Sequence, residues 1–184
     1  MEFRLFYEGP LKSNRGPSDK QALRREFHRQ LKDLVDRKPM EPFKRLVEAK
    51  HRRATLIELG GFTFVPIITE RLAHVAMLSI TLLTPEEPGR AVTQAGDLDN
   101  RVKTLLDALR VPKSPTELPR DARPADGETP FYCLLEDDAL VSGLTVVSDR
   151  LLGRTVDAAT VVLMIHVVPQ ATASSIGEFR WTSI

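Results

Sequence analysis

Asp97–Leu109 reads DLDNRVKTLLDAL, and its leucines are the clearest structural signal in the chain. Leu98, Val102, Leu105, Leu106 and Leu109 fall at i, i+4, i+7, i+8 and i+11, the spacing that lines one face of an α-helix. Asp97, Asp99 and Asn100 crowd its first turn. Short oxygen-bearing side chains there accept the unpaired N–H groups, and negative charge suits the helix dipole. One carboxylate is explained as a cap, but two beside an asparagine exceed what a cap requires. Asp99, Lys103 and Asp107 share one face opposite the leucines, as in an exposed salt-bridge ladder or a functional stripe.

Upstream, Gly60-Gly61 punctuates the start of residues 62–69, and residues 72–83 follow after Glu70-Arg71; both read as strands that form a hairpin. Residues 85–96 are read as a loop. Residues 3–7 alternate as a strand, ended by Gly9-Pro10. Ser18 looks like a helix cap, and Leu23, Phe27, Leu31, Leu34 and Val35 predict an amphipathic helix over 18–37, closed by Pro39. A second short helix is read at 43–51.

Downstream, residues 110–130 hold five prolines and no periodicity, which predicts a long surface loop, mobile or functional rather than packed. Residues 139–148 and 159–168, rich in Val and Leu, read as paired core strands joined through Gly153. The tail over 170–184 is polar, with Trp181 as a packing anchor or a base-stacking group. The expected architecture is one α+β domain over residues 1–184, a mixed sheet with helices packed on it.

With 184 residues, such a domain can bury a core without disulfides. The lone Cys133 has no internal partner and no metal-ligand spacing, and is read as a packed thiol in a reducing, cytoplasmic setting. No signal peptide opens the chain. The longest apolar stretch, residues 72–83, falls short of the roughly 20 residues that span a bilayer, so no membrane partner is expected. His28, His51, His74 and His166 lack zinc-binding spacing, and no glycine loop suits a nucleotide cofactor.

A net charge of +1 makes no global case for nucleic acid. Lys20, Arg24, Arg25, His28, Arg29 and Lys32 nevertheless crowd one segment. Glu26, Asp33 and Asp36 interleave there, so a solvated helix face competes with a phosphate-binding one. Glu136-Asp137-Asp138 is a second acidic group, set between apolar runs. Two separated carboxylate clusters and a lysine are what a magnesium-dependent phosphodiesterase needs: hard oxygen ligands and a cation for phosphate charge.

Asp97-Leu98-Asp99-Asn100-Arg101-Val102-Lys103, continuing to Asp107-Ala108-Leu109, resembles the D-x-D-N-x-x-K-x-x-x-D-A-L signature of the RusA family of Holliday-junction resolvases. Asp137-Asp138-Ala139-Leu140-Val141 is similar to that family's D-D-A-x-V string. Gly9 to Arg15 is faintly similar to the family's start. The connection over 110–130 is longer than the family's. The resemblance implies an endonuclease in which Asp97, Asp99 and Asp138 bind Mg²⁺ and Lys103 is catalytic, with Asn100, Asp107 and Asp137 in support and Asp107 positioning Lys103. Arg24, Arg25, Arg29, Lys32 and Arg101 are the cations expected to meet DNA. The implied partners are branched DNA and a second copy in a homodimer. The alternatives are a RusA-like module that binds DNA structure without cutting, or a nuclease on flap DNA or RNA.

Overall fold

The computed structural model describes residues 1–11, 16–85, 97–153 and 160–172. In chain order its elements are β1 (Phe3–Pro10), α1 (Pro17–Val35), α2 (Glu41–Glu48), β2 (Ile57–Leu59), β3 (Phe62–Ile68), β4 (His74–Thr84), α3 (Asp97–Leu109), β5 (Phe131–Leu135), β6 (Val141–Arg150) and β7 (Thr160–Ala171). The fold is α+β, a single domain of mixed sheets with three helices packed on them.

Apolar alternation builds the larger sheet. β4 turns Ala76, Leu78, Ile80 and Leu82 inward, β7 adds Val161, Leu163, Ile165 and Val167, and β1 adds Leu5. The strand order is β1-β7-β4-β6; β4 and β6 run parallel, and the other neighbours antiparallel. Helix residues at 3.6-residue spacing join the same core: Leu23, Phe27, Leu31 and Val35 of α1, which packs on β1 and β5, Phe43 and Val47 of α2, which packs on α1, and Leu105, Ala108 and Leu109 of α3, which packs on α1 and β5.

The smaller sheet has the order β2-β3-β5, with β3 and β5 parallel. Gly60 and Gly61 join β2 to β3 at φ 57° and 82°, the positive angles that a two-residue hairpin turn demands. A Cβ on Gly60 would also stand 2.6 Å from Leu118 Cδ1, so a larger residue there would have to displace the end of that side chain.

Several expectations are corrected. Residues 62–69 and 72–83 do not pair as a hairpin: a 3-10 turn at Glu70–Leu72 and a left-handed Ala73 send β4 into the other sheet. The two C-terminal strands do not pair either. β7 lies between β1 and β4, while β6 is a largely exposed edge strand. The cap of α1 is Gly16 with Pro17 in the first turn, not Ser18, because proline's fixed φ suits a helix start. β1 continues through Pro10, whose missing N–H is tolerated on an edge strand. The 110–130 segment packs: Val111 and Leu118 join Phe62, Phe64, Phe131 and Cys133 in a second core against the smaller sheet. Residues 86–96, Lys12 to Arg15 and Trp181 lie outside the described residues. Among the described residues no helix is long and apolar enough to cross a membrane.

His28 ties α1 to β5. Its Nδ1 accepts the Tyr132 N–H at 2.8 Å, its Nε2 lies 3.4 Å from the Gly127 carbonyl, and its ring stacks on Phe131. An acceptor at Nδ1 requires the neutral ring, and burial lowers its proton affinity below the ordinary 6.5. As pH falls through 6.5, the unfolded chain takes up a proton that the folded chain refuses, so stability drops on the acid side. Buried His74 shifts the same way. Thermal melts between about pH 7.5 and about pH 5.5 should therefore show a falling midpoint, with a shallower fall in His28→Gln. An equal slope in the variant would refute the assignment.

Candidate active site

Each acid of the 136–138 triplet has a different job. The Glu136 N–H donates to the Ile68 carbonyl at 2.9 Å, and its carboxylate accepts the Glu70 N–H at 3.1 Å, fastening the end of β5 to the end of β3. Asp137 caps the 3-10 turn Asp138–Leu140 by accepting the Ala139 N–H at 2.9 Å. Asp138, at the start of that turn, is half-exposed.

A lysine joins the pair. Lys113 Nζ lies 3.0 Å from Asp137 Oδ2 and 3.1 Å from Asp138 Oδ1. It is positioned by the chain leaving α3: Arg110 bridges to Leu135, and the Val111 N–H donates to the Leu135 carbonyl at 3.0 Å. The Ala139 N–H, then the neighbouring Asp138 carboxyl and Lys113, hold Asp137 down at a pKa of about 2, and the two carboxylates raise the Lys113 ammonium. Asp137 thus stays charged at every ordinary pH, and two carboxylates converge on one cation. Lys113 carried no sequence signal, being one charge in an aperiodic, proline-rich stretch.

α3 carries the other motif. Asp97 opens the helix, and its side chain lies outside the described residues. Asp99 and Lys103 are exposed, and Asn100 is half-buried. Among the described residues no group of three or more His, Cys, Asp and Glu is spaced to hold a metal, and that set leaves out the Asp97 carboxylate.

Asp107, expected to position Lys103, has both oxygens engaged elsewhere: Lys20 Nζ at 2.6 Å and Arg110 Nη2 at 2.8 Å. Burial pushes its proton affinity up, but these two cations outweigh it and lower the pKa. Arg110 is itself buried, and it also donates to Glu117 and to the Val111 carbonyl. This network fastens α1, α3 and the 110–130 segment together.

Of the cations expected to meet DNA, Arg24 is corrected. It is 1% exposed and donates to Gln21 Oε1 and the Asp107 carbonyl, so it serves the interior. Arg25 forks onto Glu128, Lys32 donates to the Gly127 carbonyl, and Arg29 pairs with Glu26. These residues border an open cleft of about 650 Å³ in which Asp121 and Asp126 interleave with the basic groups. Arg101 is half-buried on α3. No family model matches this chain, and no curated protein or solved structure matches it.

Proposed function

We propose that this chain is a magnesium-dependent endonuclease of the RusA type, cutting four-way or related branched DNA. The observation that carries the reading is the pair of motifs, D-L-D-N-R-V-K with D-A-L and E-D-D-A-L-V, matched in residue type, order and internal spacing. The geometry supports it in two respects. Asp99 and Lys103 are exposed on α3, and Asp137 and Asp138 converge on a single cation.

Asp97, Asp99 and Asp138 would hold Mg²⁺, which when bound polarises a phosphodiester and makes a water nucleophilic near neutral pH. Lys103 offsets charge that develops on the phosphate oxygens, a preorganised electrostatic role. Asn100 supports the helix start. Asp137, held ionised by the Ala139 N–H, keeps the second cluster anionic. Arg29, Lys32 and Arg101 are the cations proposed to contact the DNA backbone, where positive groups displace phosphate counterions. The protein would act as a homodimer, one site for each of two opposed strands.

Cutting of a four-way junction, a flap and a matched duplex, with Mg²⁺ or with EDTA, tests the reading. Junction cutting that needs Mg²⁺ is the expected result. Binding without cutting in either condition would leave a DNA-structure-binding module instead, and cutting of the flap alone would change the substrate.

Lys113 offers a second check. Its ammonium competes with any other cation for Asp137 and Asp138, so Lys113→Ala should lower the Mg²⁺ concentration for half-maximal cutting several-fold. A higher requirement in the variant would show that Lys113 assists cation binding instead.

A further inference from the structure

α2 ends in a turn that carries a run of cations, Lys50-His51-Arg52-Arg53. Lys50, at φ 46°, leaves the helix in the left-handed conformation, and its N–H donates to the Val47 carbonyl at 3.0 Å. The His51 carbonyl accepts the Ala54 N–H at 2.8 Å, and its ring Nδ1 accepts the Arg53 N–H at 3.2 Å. Buried Ala54 and Thr55 anchor the far side. The turn is thus held by its own backbone, with Lys50 and Arg52 exposed.

Arg71, from the 3-10 turn that enters β4, extends this surface. Its Nη1 donates to the Arg52 carbonyl at 2.8 Å and lies 3.4 Å from that of Ala54. Carbonyls are neutral, so the guanidinium charge stays uncompensated. Neither Lys50, Arg52 nor Arg71 has a carboxylate partner among the described residues. The cations of α1, α2 and the turn between them differ: Arg29, Arg37, Lys44 and Arg45 each sit on a carboxylate. A positive charge at a helix C-terminus suits the dipole, which accounts for Lys50 but not for Arg52 or Arg71. Glu48 and Glu70 flank the group, two acids against the cations Lys50, Arg52, Arg53 and Arg71.

The position of this surface gives it a use. Glu70, the chain neighbour of Arg71, donates its N–H to Glu136, the chain neighbour of Asp137. Steps of ~3.8 Å between Cα atoms and that hydrogen bond bring Arg71 within about 20 Å of Asp138. At ~3.4 Å for each base pair, that is about six base pairs or fewer.

We infer that Lys50 and Arg52, with the turn clamped by Arg71, take the phosphate backbone of a duplex DNA arm beside the 137–138 acids. The inference rests on the nuclease reading and extends its DNA contacts to a face that neither motif includes. Contacts of this kind fix position and register and read no sequence.

Fluorescence anisotropy of a labelled four-way junction and a matched duplex in EDTA, from about 50 to about 200 mM salt, tests it without any cutting. On both, Lys50→Ala/Arg52→Ala should weaken binding about tenfold or more. The slope of log K against log salt should fall in magnitude by about 2, roughly one for each phosphate contact. Circular dichroism should not change, because both side chains are exposed and Arg71 holds the Arg52 backbone. Arg37→Ala/Arg45→Ala removes the same net charge from carboxylate-paired positions and should leave the slope unchanged. With Mg²⁺, Lys50→Ala/Arg52→Ala should need more DNA for half-maximal cutting and keep the wild-type rate at saturation. A wild type that binds DNA but never cuts would sink the nuclease reading alone. No DNA binding by the wild type at about 50 mM salt, an unchanged slope in Lys50→Ala/Arg52→Ala, or an equal loss in the control pair overturns the inference. Polyglutamate bound more tightly than DNA would assign the surface to an acidic protein and also overturn it.

Discussion

Asp138→Asn should lower junction cutting at saturating Mg²⁺ by roughly 10²-fold or more, while moving the melting midpoint by no more than a few degrees. A metal ligand supplies charge that a neutral amide does not, and losses of this order follow when one element of a preorganised charge arrangement is removed. The small stability effect rests on exposure. Asp138 is half-exposed and its partner Lys113 more so, and exposed ion pairs contribute about 0–1 kcal/mol. A variant that cuts at the wild-type rate would remove Asp138 from the chemistry; one that unfolds would give it a structural role instead.

Asp107→Ala should behave in the opposite way, as a stability variant first. Its carboxylate neutralises Arg110, whose side chain is 6% exposed, and also holds Lys20. Removing one partner of a buried ion pair costs about 3–5 kcal/mol because the remaining charge stays desolvated. Arg110 keeps Glu117, so the lower end, about 3 kcal/mol, is expected. For a chain of this size that shifts the midpoint by on the order of 10 °C. Asp107→Asn, which retains an acceptor for Arg110, should lose less. A change below about 1 kcal/mol in the alanine variant, the range of exposed pairs, would contradict the network's role in joining α1, α3 and the 110–130 segment. The surface pairs Arg37 with Asp33 and Arg45 with Glu41 are the natural controls, both exposed and both four residues apart in the chain.

What the sequence carried was local. The leucine stripe of α3 is a periodic signal written over many residues, and the helix stands where the pattern puts it; the strand read from the apolar run over 72–83 is present as β4, His74–Thr84. Partner choice between strands is a different matter. Residues 62–68 and 74–84 are both apolar and nearly adjacent, which favours a hairpin; the turn at 70–72 and the left-handed Ala73, a conformation alanine rarely signals, separate them into two sheets. β5, five residues all buried, is too short to show a period. Arg24 shows the limit for single residues. Its burial depends on Gln21 of its own helix and on a carbonyl of α3, so no count of charges along α1 distinguishes it from Arg25 or Arg29. Of the candidate site, the α3 and 137–138 acids were legible as motifs. Lys113 was not, because its place depends on a single bridge between Arg110 and Leu135.

The carboxylates and Lys103 are proposed to form one metal-dependent cutting site. Single-turnover cleavage of a synthetic four-way junction by the wild type and by Asp99→Asn, each with Mg²⁺ and with EDTA, is the decisive measurement. Paired, symmetric nicks by the wild type in Mg²⁺, absent with EDTA and absent in Asp99→Asn despite retained junction binding, are the predicted result. Nicks of equal rate in Asp99→Asn, or no cutting by the wild type in Mg²⁺, would contradict it.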